Sequence, residues 1–180
     1  MKLNNEFEKL RLTNVKVITL MAILVALTVS GRLLFAFIPN VQPVTTLVIL
    51  VTLLTGFRYG AIFATLVMLS SNLILGMGIW TIGQIAGYLC IAALTAFVIR
   101  PRFDKMPFWL MILYASFTGF LYGFIQALFI APLYGFHYFL VYYVAGLSFD
   151  FLHALGNAAF YAVLAPVLLP LLDKWLIKYT

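Results

Sequence analysis

The chain has 180 residues, of which 65% are apolar and 9% are charged, and its formal net charge is +6. A soluble domain is about half apolar and a quarter charged, so this composition excludes a soluble globular protein and indicates an integral membrane protein. The single cysteine, Cys90, excludes a disulfide framework and a cysteine metal cluster.

Long apolar runs without ionised side chains predict membrane-spanning helices. The runs at 80–99 and 106–130 have 20 and 25 residues, enough at ~1.5 Å per residue to cross a hydrocarbon core of roughly 30 Å. They lack the alternation of barrel strands. We therefore predict an all-α membrane protein with six transmembrane helices, at 17–38, 44–57, 59–77, 80–99, 106–130 and 149–172. An apolar segment at 136–147, too short to cross, is expected to form an extra surface or re-entrant helix before the last span.

Lysine and arginine fall on one side of this predicted bundle. Ten of the eleven precede the first span, follow the sixth, or lie in the loops after the second and fourth spans. The positive-inside rule makes that side cytoplasmic. Residues 1–180 are therefore predicted to be a single membrane domain, with a cytoplasmic segment at 1–16, a six-helix bundle at 17–172 and a cytoplasmic tail at 173–180. The net charge indicates topology and contact with anionic lipid headgroups, and no nucleic acid is expected as a partner.

The eleventh basic residue, Arg32, lies inside the first predicted span. It is six residues, or about 9 Å of helix, below Ile38, where this predicted span ends, at a depth where a cation is costly. One interpretation is that Arg32 snorkels to the outer headgroups. The other is that it faces an aqueous pocket and pairs with a ligand anion or with Asp150. The short second span favours the pocket, because the connecting segment with Asn40 and Gln42 must then dip into the membrane, where irregular backbone lines a cavity or is buried.

Further polar side chains share the depth of Arg32. Three residues of the last span, spaced three and four apart, lie on one helical face, and three of the fourth span lie on another. Singly, such residues serve as interfacial anchors or interhelical hydrogen-bond partners, but their common depth favours a ligand site that opens outward. The predicted substrate-binding residues are Arg32, Asn40, Gln42, Asn72, Trp80, Gln84, Tyr88, His137, Asp150, His153 and Asn157.

Catalysis has little support in the sequence. There is no HExxH pair, cysteine cluster, Walker loop or GxSxG motif. Asp150 and His153 are spaced for an acid/base pair, but no nucleophile or metal set accompanies them, so we predict no catalytic residue, no metal site and no cofactor in this chain. Two alternatives to a ligand-binding protein remain, a small channel and an intramembrane enzyme. If the protein is an enzyme, its turnover should depend on His153.

Ala22, Ala26 and Ser30 form a stripe of small residues in the first span, which lets another helix approach closely. The sequence AILVA at 22–26, the charged segment before it and the five further spans resemble the membrane-embedded S components of energy-coupling factor (ECF) vitamin transporters. The segments RLLFAFIPNVQP at 32–43 and GIWTIGQIAGY at 78–88 are similar to those of the subset related to pantothenate and cobalamin carriers.

This resemblance implies a multi-pass protein of the prokaryotic cell membrane that captures a water-soluble vitamin from outside. It implies two kinds of partner, a transmembrane T component and two cytoplasmic ATPases, and a role for Ala22, Ala26 and Ser30 in docking to the T component. The chain itself is not expected to be an enzyme. Since a guanidinium suits two-point contact with a carboxylate, Arg32 favours pantothenate. The alternatives within the family are cobalamin, with aromatic residues at 134–143 as a wider mouth, or another vitamin.

Overall fold

The computed structural model describes residues 14–177 and is all-helical in that range. The prediction of an all-α structure is confirmed for these residues. Each of five helical stretches is long and apolar enough to cross a membrane, which is compatible with a multi-pass membrane protein. The ends of the chain, including Lys2, Lys9, Arg11 and Lys178, lie outside the described residues. The α-helices are α1 (Val15–Leu34), α2 (Val44–Leu75), α3 (Trp80–Leu94), α4 (Phe108–Tyr134) and α5 (Phe139–Ile177). A π-helical turn (Thr95–Ile99) and a 3-10 helix (Arg100–Lys105) continue α3, and a 3-10 turn (Phe136–Tyr138) precedes α5.

Gly56 divides α2 into two segments. Its backbone angles, φ 81° and ψ 178°, are non-helical and lie in a region that essentially only glycine adopts. In a continuous helix Thr52 and Gly60 would be separated by about 12 Å, yet a Cβ atom placed on Gly60 would collide with the Thr52 side chain. The chain therefore reverses direction at Gly56, and residues 57–75 pack back against residues 44–55.

The last helix is longer than predicted. α5 has 39 residues, about 58 Å at ~1.5 Å per residue, which is almost twice a hydrocarbon core of roughly 30 Å. The prediction of a separate surface or re-entrant helix at 136–147 is wrong, because α5 begins at Phe139 and continues through Gly146. An interior glycine costs a helix only about 0.5–1 kcal/mol relative to alanine. The rings of Phe139 and Tyr143 also contact the Phe124 ring of α4, which holds the first turns of α5 in place.

α2 lies at the centre of the bundle. In its most apolar window 72% of the residues are buried, against 33–39% in the other four helical stretches. On those outer helices apolar side chains such as Leu27, Leu113 and Phe151 are exposed. Helices that are apolar all round are typical of membrane spans, where lipid covers the outer faces.

Apart from Arg32, the lysines and arginines within residues 14–177 gather at one end of the bundle, which we call the basic end. Arg100 Nε donates to the carbonyl oxygen of Leu53 over 2.9 Å, so the end of α3 lies beside the reversal in α2. Leu20, Leu54 and Leu172 line one small cavity, which brings the beginning of α1 and the end of α5 to the same level. The opposite end, with the loops at 35–43 and 76–79 and the turn before α5, is called the loop end.

We predict that Gly56→Ala lowers the stability of the protein in detergent by about 1–3 kcal/mol, because alanine would have to hold a conformation that L-residues rarely adopt. Thermal unfolding followed by tryptophan fluorescence measures the loss. Gly146→Ala is the matched control, since a Cβ atom on this helical glycine meets nothing within 4 Å and alanine favours helix. The control should unfold at or above the wild-type temperature. A Gly56→Ala protein as stable as wild type would contradict the break in α2.

Candidate functional site

The first helix ends four residues before its predicted end. Leu34 is the last residue of α1, and short backbone turns carry residues 35–42 to Pro43, which precedes α2. Asn40 has a φ of 56°, a left-handed conformation in which asparagine is enriched among non-glycine residues. Arg32 therefore lies in the last turn of α1, directly under this loop.

The Arg32 side chain is turned inward and bound by neutral groups. It is only 7% exposed. Its Nε donates to Gln42 Oε1 over 3.0 Å, and its Nη1 donates to Ser71 Oγ and, over 2.9 Å, to Asn72 Oδ1. This geometry contradicts snorkelling to the headgroups. Within residues 14–177 no carboxylate contacts the guanidinium, so Asp150 is not its partner, and Nη2 makes no hydrogen bond there.

Asn72 extends the contacts of Arg32 to α3. Its Nδ2 donates to Thr81 Oγ1 over 2.9 Å and to Gln84 Oε1 over 2.6 Å. The amide is 2% exposed, and both of its polar atoms are satisfied. A continuous set of hydrogen bonds thus joins α1, α2 and α3 at the loop end.

Two adjoining cavities lie at the loop end. The large cavity has a volume of about 460 Å³, and the small cavity, which contains Arg32 and Gln42, has about 210 Å³. Asn40, Gln84 and Tyr122 line both. Small-molecule sites commonly occupy roughly 300–1,000 Å³, so these cavities suit a small organic ligand. The other polar and aromatic residues of the large cavity are Trp80, Gln126, Tyr142, Tyr143, Phe149 and Asp150.

Asp150 presents its carboxyl group to the large cavity. The residue is 5% exposed and lines this cavity from α5. A Cβ atom on Gly123 of the facing helix α4 would collide with the carboxyl group, so glycine at that position leaves room for it. In the described part of the chain the Asp150 side chain has no hydrogen bond or ion pair, and it is therefore available to a ligand.

Three predicted site residues lie behind the cavity wall. Tyr88, His153 and Asn157 are completely buried and line neither cavity. His153 Nε2 shares a hydrogen bond of 2.8 Å with Thr45 Oγ1, and its ring meets the Tyr122 ring edge-on. The Asn157 side-chain amide has no hydrogen-bond partner among the described residues. His153 and Asp150 therefore do not face the large cavity together as an acid/base pair.

The two remaining aromatic candidates differ in position. Trp80 lines the large cavity at its margin and is half-exposed, whereas His137 is exposed, lies against the Tyr138 ring and lines neither cavity. Among residues 14–177 no group of three His, Cys, Asp or Glu side chains could hold a metal ion. The predicted residues that the structure places at the cavities, or bonded directly behind them, are Arg32, Asn40, Gln42, Asn72, Trp80, Gln84 and Asp150.

Several residues of the site were not singled out from the sequence. Ser71 and Thr81 hold the Arg32–Asn72 contacts together, but a single hydroxyl in an apolar helix carries no sequence signal. Gln126 lines the large cavity, and its Nε2 donates to the Tyr122 hydroxyl over 3.3 Å. Gln126 had a signal, because it is the one side-chain amide in the apolar run at 106–130.

The small-residue stripe of α1 faces away from the bundle. Ala22, Ala26 and Ser30 are exposed, whereas the neighbouring Val25 and Val29 are buried in the core. The stripe is therefore not used for packing among the described helices, and it remains a smooth face on the outside of α1.

Comparisons with known proteins returned no relative of this chain. No protein-family model matches it, no curated protein matches it, and no solved structure matches it.

We predict that Asn72→Leu destabilises the ligand-free protein by about 1–3 kcal/mol, because it leaves buried polar partners unsatisfied. Asn157→Leu is the matched control. Both asparagines are buried, but the side-chain amide of Asn157 makes no hydrogen bond to lose. Chemical unfolding in detergent should therefore show a clearly larger loss for Asn72→Leu. If both variants lost the same free energy of unfolding, the hydrogen bonds of Asn72 would contribute nothing to stability beyond the packing of its side chain.

Proposed function

We propose that this chain is the S component of an ECF-type importer, the membrane subunit that binds a water-soluble vitamin outside the cell. The best candidate for the ligand is pantothenate, a small carboxylate with hydroxyl and amide groups. A transmembrane T component and two cytoplasmic ATPases would drive its delivery inward. The proposal joins the resemblance of the sequence to a site whose chemistry suits such a ligand.

The observation that carries the proposal is the environment of Arg32. A guanidinium remains protonated, and here it is buried at a cavity with only neutral side chains in contact. Its Nη2 has no hydrogen-bond partner in the described part of the chain. A ligand carboxylate at the small cavity would supply the missing negative charge through charge-assisted hydrogen bonds.

The proposed topology has six crossings and both termini in the cytoplasm. The reversal at Gly56 supports it, because the two segments of α2 then cross in opposite directions. The segment at 44–55 is about 18 Å long at ~1.5 Å per residue, so it crosses only with the help of the loop that precedes it. The positive-inside rule assigns the basic end to the cytoplasm and the two cavities to the outside, where a ligand enters.

Cavity size favours pantothenate over cobalamin. The large cavity of about 460 Å³ and the adjoining small cavity of about 210 Å³ accommodate a molecule of pantothenate's size, whereas a corrinoid is several times larger. Tyr142 and Tyr143 line the large cavity, and they would have to move apart with the first turns of α5 to admit a corrin ring.

Binding has more support than conduction or catalysis. Below the cavities the centre of the bundle is filled by apolar side chains of α2, such as Val48, Ile49 and Leu53, all fully buried, whereas a channel requires a polar path through the membrane. His153 is bonded to Thr45 behind the cavity wall, out of reach of a ligand in the large cavity.

We predict that Arg32→Ala weakens pantothenate binding by about 30-fold to several thousandfold, the cost typical of removing one partner of a buried charge pair. Arg32→Lys should recover only part of the affinity, since lysine keeps the charge but not the planar fork. Isothermal titration calorimetry of the purified variants measures both effects.

Arg58→Ala is the control for this experiment. Arg58 is exposed beside the reversal in α2, so its removal changes the net charge equally but leaves the cavities intact. Equal affinities of wild type, Arg32→Ala and Arg32→Lys would remove Arg32 from the site. No binding of pantothenate by wild type would reject this vitamin and promote cobalamin.

We predict that Ala22→Trp and Ala26→Trp abolish assembly with the T component and leave ligand binding unchanged, because a bulky side chain holds a partner helix away from the small-residue stripe. Leu27→Trp is the matched control, since Leu27 is also exposed on α1 but lies outside the stripe. Pull-down with the T component and calorimetry on the isolated chain give the two readouts. Loss of ligand binding with unchanged pull-down would show that the stripe is not the docking face.

A further inference from the structure

The second ionisable group at the cavities is Asp150. Asp150 is 95% buried, and its carboxyl group lies in the large cavity against Gly123. No hydrogen-bond donor within residues 14–177 contacts this carboxyl group. Burying a carboxylate without a hydrogen-bond partner is costly. The group therefore has an unmet requirement for hydrogen-bond donors, and the cavity is the space from which they can come.

Arg32 and Asp150 line different members of the two adjoining cavities. Arg32 lines the small cavity and not the large one, whereas Asp150 lines the large cavity and not the small one. Asn40, Gln84 and Tyr122 line both and mark where the cavities adjoin. A ligand that extends past these three side chains meets a cation at one end and a carboxylate at the other.

We infer that the ligand lies across both cavities, with its anionic group at Arg32 and a hydrogen-bond-donating end, hydroxyl or ammonium, at Asp150. This inference rests on the proposed function and defines its substrate class. A molecule with a second anionic group at the far end is excluded, because that group would meet the Asp150 carboxylate in a cavity of low dielectric. Pantothenate has the required polarity, with a carboxylate at one end and two hydroxyls at the other.

The first test is mass spectrometry of the small molecule that copurifies with the full chain. The inference expects a monoanion that carries hydroxyl or ammonium groups away from its carboxylate. A vitamin without a carboxylate, or one with anionic groups at both ends, would overturn the inference and leave the proposed function standing. Purified protein that carries no small molecule and binds no vitamin would overturn both.

The second test compares three ligands on two proteins by calorimetry. The ligands are pantothenate, an analogue in which hydrogen replaces both hydroxyls, and an analogue in which an ammonium group replaces the terminal hydroxyl. The proteins are wild type and Asp150→Asn. The variant should lose about 10- to 100-fold in affinity for pantothenate, as expected when a hydrogen bond to a charged group is weakened. It should bind the analogue as wild type does, which also shows that it is folded. For an analogue with an ammonium group in place of the terminal hydroxyl, the Asp150→Asn variant should lose more affinity than it loses for pantothenate, because the substitution also removes the negative charge opposite the ammonium group.

Asp173→Asn is the matched control, since Asp173 lies on the same helix near the basic end and lines neither cavity. It should bind every ligand with wild-type affinity. Two results would contradict the inference. In the first, Asp150→Asn binds pantothenate as tightly as wild type does. In the second, it loses equal affinity for pantothenate and for the analogue without hydroxyls, which would mean that Asp150 does not accept a hydrogen bond from the donor end of the ligand. In either case pantothenate binding that depends on Arg32 would still support the proposed function.

Discussion

The arrangement of the loop end depends on one constraint, the burial of a permanent positive charge in an apolar helix bundle. A guanidinium carries five N–H donors and a positive charge, so the chain that surrounds Arg32 must offer it acceptors. Gln42, Ser71 and Asn72 do so from the loop and from the far end of α2. All three are neutral, so they satisfy hydrogen bonds without cancelling the charge. The uncancelled charge acts in a medium of low dielectric, where its attraction for an anion is much stronger than in water.

The reversal at Gly56 makes this arrangement possible. Gln42 lies just before α2 and Asn72 near its end, about 45 Å apart in an unbroken helix at ~1.5 Å per residue. Because the chain turns back at Gly56, both ends of α2 reach the loop end and contact the same guanidinium. The first segment is also tied to α5, where Thr45 contacts His153 and Thr46 Oγ1 donates to the backbone oxygen of Asn157 over 3.3 Å. The backbone conformation of Gly56 thus determines which polar residues contact Arg32.

The long final helix, α5, carries both the aromatic wall of the large cavity and the carboxyl group that faces it. Tyr142, Tyr143 and Asp150 all line the large cavity from α5, and the helix continues without a break to the basic end. The opposite charges are carried by different helices, Arg32 by α1 and Asp150 by α5, with Gln84 and Tyr122 between them. A bound molecule with complementary ends would bridge these helices and would thereby couple ligand binding to the packing of the loop end.

From the amino-acid sequence alone we predicted a membrane protein, an all-helical structure and a cluster of polar residues towards one end, because the length of apolar runs and the position of charges are local properties of the chain. The sequence also singled out Arg32, Gln84 and Asp150, which the structure places at the two cavities. Their hydrogen-bond partners and the cavities that they line depend on how distant segments pack together, and the sequence does not show this packing. Helical spacing placed Asp150, His153 and Asn157 on one face, but it does not say whether that face meets a cavity or another helix, and here only Asp150 reaches the cavity. Ser71 was hidden for a similar reason: its hydroxyl also donates to the Val67 carbonyl of its own helix over 2.6 Å, and its contact with Arg32 exists only because distant segments pack together.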